Sequence, residues 1–481
     1  MNRGPLVVVG DLLLDEDIEG EADRLAPDAP APVVDVAGVR RRAGGAGLAA
    51  LLAARPGARR GLEVVLVTAP GSDASAAAAL KCLGDRVRVV ALPLDGTLPV
   101  KTRVLAGGRP LVRLDRGGGR PGRPGAEVLG TLAGARTVLV SDYGRGVAGV
   151  LREALVAAAR RVPVVWDPHP RGGAPVPGVR LATPNAKEAA AFSPVGGSSL
   201  RAHAERGADL AERWGATHVA VTLGSRGALL TRAGSTAPLL VPAPQVTGGD
   251  PCGAGDCFAA AAAVALAAGA LPEEAVERAV AEAAGFVAAG GASAVSVDDG
   301  GRAGDAGSAG DAVEAVGPAA PEPPGDAFAV ARRVHERGGT VVATGGCFDL
   351  LHAGHVGLLE RAAGIGDCLI VCVNSDASLA RLKGPGRPLT PLADRMRVLS
   401  ALASVDAVVS FDEDTPERLL EALRPDVWVK GGDYAPDGLP ESRALRRWGG
   451  QTVVLPYLDG RSTTSLARRA ARAATAGGSG R

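Results

Sequence analysis

Short apolar runs of strand length recur along the 481-residue chain, and Ala- and Leu-rich stretches of helical length separate them. The runs lie at 6–9, 64–68, 138–140, 164–166, 218–222, 341–343, 369–373 and 427–429. Strands that alternate with helices are typical of βαβ units, whose strands pair in mainly parallel sheets. The alternation therefore predicts an α/β fold.

One segment between Asp298 and Phe328 interrupts the alternation, because it offers Gly, Pro, Ala and acidic residues but almost nothing to bury. Such a composition predicts a flexible linker, which we place at 299–327. The linker separates an N-terminal domain at 1–298 from a smaller C-terminal domain at 328–475. Residues 476–481 are predicted to form a disordered tail.

The charge balance of the chain limits the kinds of ligand it can bind, and its cysteine content indicates the cellular compartment. The chain carries 53 basic and 52 acidic side chains, so it has no global field with which to hold nucleic acid. Its six cysteines form neither a dense disulfide framework nor a zinc-type pair, which favours a cytoplasmic location. The first apolar run is too short for a signal peptide. The longest, 257–271, is too short for a bilayer and predicts a buried helix.

The most informative motif of the N-terminal domain is Asp-Pro-Cys-Gly-Ala-Gly-Asp at 250–256, directly before that helix. Small residues let a ligand approach the backbone, and free N–H groups at a helix start attract anions. The amides of Gly253, Ala254 and Gly255 are therefore candidates for stabilising a transferring phosphate. Asp256 is a candidate base for an attacking hydroxyl. An isolated turn of this kind would as often be a simple cap, and no P-loop or protein-kinase motif occurs.

Other segments accompany this motif, namely GDLLLDEDIEG, KTRVLAGGRPLVRLD, SDYGRG, TPNAKE and VTLGSRG. Together they resemble the ribokinase-like (pfkB) sugar kinases over residues 5–298, and in detail the heptose 7-phosphate kinases. The resemblance implies a ribokinase-like fold and substrate contacts from Asp11, Asp15, Gly44, Gly45, Lys101, Arg103 and Asp142. It implies nucleotide contacts from Asn185, Glu188, Thr222, Gly224, Ser225 and Gly227, with Glu188 reaching Mg²⁺ through water. Taken alone, Asn185 and Glu188 would more often be a helix-capping pair.

Leu48 departs from that family. It stands in GGAGLA, 44–49, at a position where family members usually carry an Asn that contacts sugar hydroxyls. Loss of one buried polar contact weakens binding by about 1 to 3 kcal/mol without removing the phosphoryl-transfer groups. We therefore expect a functioning kinase and leave its sugar preference open.

The C-terminal domain opens with VVATGGCFDLLHAGHVGLLERAAGIGDCLIVCVNSD, which predicts a strand, a small-residue turn, a helix and a second strand. His352 and His355 lie three residues apart at the predicted helix start, so both share one face beside the positive end of the helix dipole. Two imidazoles there can donate hydrogen bonds to a phosphate attacked at its phosphorus. Zinc is the competing interpretation, and no third ligand at a suitable spacing supports it.

The HxGH motif resembles the cytidylyltransferase-like nucleotidyltransferases, and residues 338–472 resemble heptose 1-phosphate adenylyltransferases more narrowly. The segments NSDASLARLKGPGRPLT, VVSFDEDTPERLL, VWVKGGDY and LDGRSTTSLARR carry this likeness. It implies a Rossmann-like fold and phosphate contacts from Gly346, Phe348, Asp349, His352, His355, Lys383, Arg387, Ser462, Thr463 and Thr464. It implies substrate or nucleotide contacts from Lys430, Gly431, Gly432 and Asp433. Taken alone, Lys383 and Arg387 are also compatible with an exposed basic loop.

The order of the two domains is similar to that of the bifunctional heptose kinase/adenylyltransferases. That resemblance implies phosphorylation of D-glycero-D-manno-heptose 7-phosphate at O1 by ATP and Mg²⁺, followed by adenylyl transfer to heptose 1-phosphate. It also implies a separate 7-phosphatase, small-molecule partners only, and no zinc. The alternatives are the same chemistries with another sugar phosphate or nucleotide, and a chain in which one domain is an inactive scaffold. The oligomeric state stays open, a homodimer included.

Overall fold

The computed structural model describes residues 4–55, 62–197, 199–234, 238–244, 246, 248–295, 326–337, 339–384, 386–431 and 440–455. Within them the chain forms two compact units, one built mainly from residues before 296 and one mainly from residues after 325. The predicted linker, except for its last two positions, and the predicted tail lie outside the described residues. Their boundaries therefore stay predictions.

The described residues contain eighteen strands. They are β1 Leu6–Gly10, β2 Leu12–Leu25, β3 Pro32–Gly45, β4 Val64–Thr68, β5 Arg88–Ala91, β6 Leu94–Ala106, β7 Arg109–Pro121, β8 Thr137–Ser141, β9 Val164–Asp167, β10 Leu181–Ala182, β11 Val219–Thr222, β12 Ala228–Thr231, β13 Leu239–Val241, β14 Val341–Gly346, β15 Cys368–Asn374, β16 Ala407–Phe411, β17 Val427–Gly431 and β18 Gln451–Leu455. All eight apolar runs predicted as strands lie in or overlap one of them, which confirms the α/β class.

Fifteen α-helices lie between and after these strands. They are α1 Ala46–Ala53, α2 Ala74–Leu83, α3 Ala126–Ala133, α4 Val147–Val150, α5 Arg152–Ala159, α6 Ala186–Phe192, α7 Leu200–Trp214, α8 Ala254–Ala267, α9 Pro272–Ala288, α10 Ala327–Glu336, α11 Ala353–Ala363, α12 Asp376–Lys383, α13 Leu392–Ser400, α14 Glu417–Leu423 and α15 Pro440–Arg446. Three short 3₁₀ helices lie at Gly84–Arg86, Gly224–Arg226 and Gly291–Val295. Among the described helices, none combines the length and apolar character needed to cross a membrane.

The first unit is built on a nine-stranded sheet with the order β13-β12-β11-β10-β9-β8-β1-β4-β5. Its central strands pair in parallel, and β1, β4 and β8 are buried along their whole length. The chain proceeds from β1 towards β4 on one side and from β8 towards β9 on the other. Ligands of open α/β sheets bind at the carboxyl ends of strands where the order reverses in this way. The fold therefore places a crevice after β1 and β8.

A separate four-stranded sheet, ordered β3-β2-β6-β7, was not predicted from the sequence. Its strands are 13 or 14 residues long, with β2 antiparallel to β3 and parallel to β6. Outside the start of β2, charged, Gly and Pro residues interrupt the apolar residues of these strands, and much of β3 and β7 is exposed, so no long apolar run marks them. This sheet carries several of the predicted sugar-binding residues.

The second unit contains a parallel five-stranded sheet with the order β16-β15-β14-β17-β18. The order reverses between β14 and β17, as in a Rossmann half, and the crevice is expected at their carboxyl ends. Buried Val, Ile, Leu, Cys and Trp side chains of these strands form the core. The sheet therefore presents the start of α11, which follows β14, to that crevice.

Candidate active sites

The loop after β8 is held in place by the residue that follows β1. Asp11 is 4% exposed, and its Oδ2 accepts hydrogen bonds from the backbone N–H groups of Tyr143 (3.1 Å) and Arg145 (3.0 Å). Its Oδ1 accepts a third from the N–H of Val147 (3.1 Å). A carboxylate so occupied orders the loop around the crevice. The structure thus shows Asp11, predicted to contact the sugar, in a supporting position.

The glycine-rich turn leads into α8 as the sequence motif requires. Gly253 is the N-cap residue in a left-handed conformation, with φ of 80°. A Cβ at this position would lie 2.8 Å from Cδ2 of Leu48 and 3.3 Å from the ring of Phe286, so only glycine fits. Leu48 is therefore a buried side chain that packs beneath the start of α8. The N–H of Ala254, predicted to contact a phosphate, instead donates to Pro251 O at 3.1 Å, which closes the turn.

A cavity of about 210 Å³ opens beside this turn. The structure brings seven of the predicted residues to its wall, and five other residues complete the lining. The twelve are Asp142, Tyr143, Asp167, Pro168, His169, Thr183, Asn185, Glu188, Thr222, Gly253, Gly255 and Asp256. The carboxyl ends of β8, β9 and β11 and the start of α8 therefore meet around one space.

Asp256 lies in the first turn of α8 and is 6% exposed. Burial raises the pKa of its carboxyl group to about 7, and the nearby Asp15 adds to this effect. The Tyr143 hydroxyl opposes it by donating to both carboxylate oxygens, at 3.0 Å to Oδ1 and 2.8 Å to Oδ2. Lys101 also favours the ionised form. A base whose pKa is near 7 suits proton abstraction at physiological pH.

Two further aspartates share the cavity. Burial raises the pKa of Asp142 to about 6, and its Oδ2 has no hydrogen-bond partner among the described residues. Burial also raises the pKa of Asp167 well above its usual range, and the neighbouring Asp256 and Glu188 carboxylates contribute. The hydroxyl of Thr183 donates to Asp167 Oδ1 at 2.9 Å. A cavity so rich in carboxylates favours cations or hydroxyl groups as occupants.

The four-stranded sheet brings Asp15 of β2 opposite Lys101 of β6. Asp15 is 8% exposed, and its Oδ1 has no hydrogen-bond partner among the described residues. A Cβ on Gly44 would lie 2.4 Å from Asp15 Oδ2, which explains the glycine there. Arg103 is 3.4 Å from Asp17 Oδ1 and 3.7 Å from the sulfur of Cys252. Asp15 Oδ1 is therefore a buried acceptor of this group that no described residue satisfies.

Gly45 follows Gly44 and ends β3. Its φ is 58°, and a Cβ would lie 2.4 Å from the backbone oxygen of Asp11. The predicted Gly44-Gly45 pair thus allows α1 to start close to Asp11, which follows β1, and to Asp15 of β2.

The predicted pair Asn185 and Glu188 forms a capping box at the start of α6. Asn185 Oδ1 accepts from the N–H groups of Lys187 and Glu188, both at 3.0 Å, and Glu188 Oε2 accepts from Asn185 N–H at 2.8 Å. Burial raises the pKa of Glu188. The pair therefore caps a helix and lines the cavity at once, so the structural and the binding interpretation are compatible.

The cavity fits Mg²⁺ that arrives with a nucleotide. The unpartnered Asp142 Oδ2 and the Glu188 carboxylate are oxygen donors of the kind this ion prefers, and Mg²⁺ usually keeps several waters. Across the described ranges, no three acidic, His or Cys side chains are arranged to hold a metal by themselves. The residues thus favour contact through water over a dedicated metal cage.

The segment after β11 makes a tight turn into β12. Thr222 lines the cavity, and Gly224 and Gly227 have φ of 63° and 94°. The Leu223 N–H donates to Gly227 O at 2.7 Å, while Ser225 is exposed on the intervening 3₁₀ turn. These predicted nucleotide contacts therefore lie at the carboxyl end of β11, next to the cavity wall.

In the second unit, the two predicted histidines lie at the start of α11. His352 is the N-cap residue, and its Nδ1 accepts the Gly354 N–H at 3.1 Å. The His352 and His355 rings lie with centroids 4.0 Å apart. Burial, followed by the neighbouring His352, lowers the pKa of His355 to about 4. His355 is therefore a neutral imidazole at physiological pH, able to donate one hydrogen bond.

Phe348 supports the second histidine. Its ring centroid is 5.3 Å from that of His355, and its backbone adopts φ of 47°, which is rare for a residue with a side chain. A Cβ on Gly346 would lie 3.2 Å from the Phe348 ring, so the glycine leaves room for the ring to fold back. The predicted Gly346 and Phe348 thus shape the loop, with Phe348 packed against an imidazole.

Several predicted phosphate or substrate contacts are already paired. Asp349 Oδ1 accepts from the N–H groups of Leu389 (2.7 Å) and Thr390 (3.1 Å), and its Oδ2 is 2.9 Å from Arg387. Lys430 is 2.9 Å from Glu441 Oε1. Lys383, at the end of α12, is exposed. If Arg387 and Lys430 contacted a phosphate, each would have to leave its carboxylate partner or bind the carboxylate and the phosphate together.

Sequence reasoning missed Arg395, which organises this second crevice. It is 2% exposed and donates to the backbone oxygens of Cys347 (2.7 Å), Asn374 (2.8 Å) and Thr390 (3.0 Å). It also binds Asp376 Oδ1 at 2.6 Å. The guanidinium therefore ties the loop after β14 to the end of β15.

Five predicted residues lie outside the described residues: Gly432, Asp433, Ser462, Thr463 and Thr464. Gly431, also predicted, ends β17 at the carboxyl edge of the sheet.

Comparison with known proteins matches each unit to a family. The pattern of pfkB family carbohydrate kinases matches residues 139–299, and the cytidylyltransferase-like pattern matches residues 343–469. The chain is 59% identical to the bifunctional protein HldE of Streptomyces coelicolor, over 98% of each chain. It is 40% identical to HldE of Alkalilimnicola ehrlichii, over 97% of each chain. A ribokinase from Arabidopsis thaliana, solved with ribose and ATP, is 25% identical with a TM-score of 0.46, and the match covers 59% of this chain and 92% of that one.

The pfkB and cytidylyltransferase-like matches, one on each unit, define a bifunctional enzyme, a sugar kinase joined to a nucleotidyltransferase. The matches over almost the whole length place it more narrowly. The chain belongs to the family of bifunctional HldE proteins.

Proposed function

We propose that the first unit transfers the γ-phosphate of ATP to O1 of D-glycero-D-manno-heptose 7-phosphate. The second unit then joins heptose 1-phosphate to the AMP part of another ATP, giving ADP-heptose and pyrophosphate. The observation that supports this most is that both catalytic constellations occur on one chain aligned end to end with bifunctional relatives.

In the kinase step, Asp256 accepts the proton of the sugar hydroxyl while the hydroxyl oxygen bonds to the γ-phosphorus and ADP leaves. The pKa of about 7 lets this carboxylate be ionised before the reaction and still hold the proton afterwards. The start of α8 directs its dipole towards the transferring phosphate. Asp15 of the four-stranded sheet has a free oxygen with which to orient a sugar hydroxyl.

We further propose that Mg²⁺ accompanies ATP in both reactions. In the first unit Glu188 would hold it through water, and Asp142 lines the same cavity. The ion supplies charge neutralisation on the triphosphate oxygens. No zinc is required by either step.

In the adenylyl transfer, an oxygen of the sugar 1-phosphate bonds to the α-phosphorus of ATP, and the bond to the departing pyrophosphate breaks. No protein nucleophile or base is needed, so positioning and charge stabilisation determine the rate. His352 and His355, whose rings lie 4.0 Å apart at the start of α11, are proposed to donate to the phosphate oxygens, and His355 does so as a neutral imidazole. Lys383, Arg387 and the Ser462-Thr463-Thr464 segment are proposed to bind the remaining phosphate charge.

The two reactions do not share an intermediate directly. The kinase product carries phosphates on C1 and C7, whereas the adenylyl acceptor carries one on C1 only, so a separate 7-phosphatase must act between them. All six cysteines are free thiols, which suits a reducing cytoplasm. Sugar phosphates, ATP and that phosphatase are therefore the proposed partners.

The test is a one-pot reaction of the full chain with heptose 7-phosphate, ATP and Mg²⁺, with and without a 7-phosphatase, analysed by mass spectrometry. We expect heptose 1,7-bisphosphate without the phosphatase and ADP-heptose with it. Other sugar phosphates, and CTP and GTP, are tested in parallel, because Leu48 is an apolar core residue at the position of the usual Asn. Faster turnover of another sugar or nucleotide would reassign the substrate, and one silent reaction would make that unit a scaffold.

A further inference from the structure

We infer that Tyr143 is a positioning residue for the kinase base: its hydroxyl holds the Asp256 carboxylate in a fixed orientation and keeps it ionised until a sugar hydroxyl takes over one of the two oxygens. The inference rests on the proposed kinase reaction. In the structure, the Tyr143 hydroxyl donates to both carboxylate oxygens of Asp256, at 3.0 and 2.8 Å.

The phenol is fixed from three sides. The backbone N–H of Tyr143 donates to Asp11 Oδ2 at 3.1 Å, so a buried carboxylate fixes the base of the side chain. The ammonium of Lys101 lies 5.2 Å from the ring centroid, in cation–π geometry. The His169 ring lies nearly parallel, with centroids 6.3 Å apart and an interplanar angle of 19°. A hydroxyl held in this way serves one orientation of its acceptor.

The charged surroundings of Asp256 explain why such a donor is needed. Burial and Asp15 of β2 both disfavour its ionised form. Lys101 of β6 and the hydroxyl of Ser141 in β8 favour it, but less than Tyr143 does. Asp167 of β9 also faces this cluster, since the carboxylate of Asp256 raises its pKa. The phenol is therefore the strongest group that keeps the base ionised.

The same contact gives the phenol a role during turnover. Each carboxylate oxygen has two lone pairs, so the carboxylate can accept from the sugar hydroxyl while Tyr143 still donates to it and holds its orientation. Tyr143 itself does not ionise, because burial and the carboxylates around it raise its pKa well above the usual range. It therefore orients the base and takes no proton from the sugar.

Tyr143→Phe is the main test, since it removes the hydroxyl and keeps the ring between Lys101 and His169. We expect kcat of the kinase reaction to fall roughly tenfold or more, with the KM for ATP unchanged. The acid limb of the kcat profile should move up by about one pH unit, because the carboxylate loses its main stabilising donor. Adenylyl transfer by the same chain is the internal control and should not change.

A second measurement should shift the acid limb of the kinase kcat profile to lower pH, and it does not require the Tyr143→Phe variant to fold. The chain has three tyrosines, and the other two, Tyr434 and Tyr457, belong to the C-terminal half of the sequence. Uniform replacement of tyrosine by 3-fluorotyrosine makes the phenol a stronger donor, so the acid limb should shift to lower pH. Thr183→Val is the matched control, as it deletes a hydroxyl that donates to Asp167 in the same cavity; it should not raise the limb.

The inference is overturned if the acid limb of the kinase kcat profile stays at the wild-type pH in both the Tyr143→Phe variant and the fluorinated enzyme. Tyr143 would then be a packing residue. A wild-type chain without any kinase turnover would instead refute the proposed function. The two failures are therefore distinguishable.

Discussion

The two catalytic units use burial in opposite ways. In the kinase site, burial raises the pKa of Asp256 to about 7, so the group remains ionisable at the pH of the cell. In the nucleotidyltransferase site, burial lowers the pKa of His355 to about 4, so the group is fixed in its neutral form. Removal from water favours the uncharged state in both cases. One site therefore gains a base that can be titrated, and the other gains a donor that does not titrate.

Each site is also organised by one buried charged side chain that binds backbone groups. Asp11 accepts three N–H groups in the first unit, and Arg395 donates to three carbonyl oxygens in the second. The charges match the groups they bind, since a carboxylate accepts and a guanidinium donates. Each unit thus orders a loop at the carboxyl edge of its sheet, the first with a buried negative charge and the second with a buried positive charge.

The largest expected effect comes from removal of the base. Asp256→Asn should reduce the kinase rate by about 10³-fold, within the range for loss of general base catalysis, and leave adenylyl transfer unchanged. Both rates are measured on one preparation, with Asp85→Asn as the control because Asp85 is exposed. Equal loss of both activities would show that the units are not independent.

The corresponding change in the second unit is the next largest. His355→Ala or His352→Ala should reduce adenylyl transfer by about 10²- to 10³-fold, as expected when a donor to the developing phosphate charge is lost. The kinase rate should stay at its wild-type value. His335→Ala is the matched control, since His335 lies on α10 and pairs with Asp426 near the surface. A kinase that fails together with the transferase would refute the comparison of two separate sites.

A substitution of Arg395 tests whether adenylyl transfer depends on the ordering of the loop as much as on the two histidines. Arg395→Met leaves buried carbonyl oxygens without donors and should destabilise the second unit by about 3 kcal/mol, with loss of adenylyl transfer but not of kinase activity. Calorimetric unfolding of the full chain would show one transition shifted and the other in place. Arg381→Met is the control, because the Arg381–Asp414 pair is exposed. An unshifted transition would mean that Arg395 does not stabilise the loop.

These contrasts show what the sequence could and could not predict. The strands of the two parallel sheets were predictable where both faces are buried, because the whole run is then apolar. The four-stranded sheet was not, since charged, Gly and Pro residues interrupt the apolar residues of β6 and β7, and most of β7 is exposed. Its β2–β3 and β6–β7 pairings join consecutive strands, but the β2–β6 pairing that unites them joins distant segments, which no local pattern records.

The candidate sites divide in the same way. Asp256 and the histidines were predictable because a small-residue turn and a helix start mark them locally. Tyr143 and Arg395 were missed, since their partners Asp256 and Cys347 are 113 and 48 positions away in the sequence. Tyr143 lies in the segment SDYGRG, in which the family resemblance implies a substrate contact only for its neighbour Asp142. A rare tyrosine inside a motif was the one signal available.

The smallest effect, and the most direct test of the opposite use of burial, is the pH dependence of the two rates. Asp256 acts in its ionised form, so with a pKa of about 7 the kinase rate should rise about fourfold between pH 6.5 and 8.5 and level off above. His355, with a pKa of about 4, stays neutral throughout this range, so adenylyl transfer should vary by less than about twofold. Both rates are measured at saturating ATP and sugar phosphate, above the second pKa of phosphate monoesters, near 6. A transferase that titrates near pH 7 while the kinase stays flat would reverse the assignment of the two groups, because burial would then have left the imidazole ionisable and the carboxylate fixed.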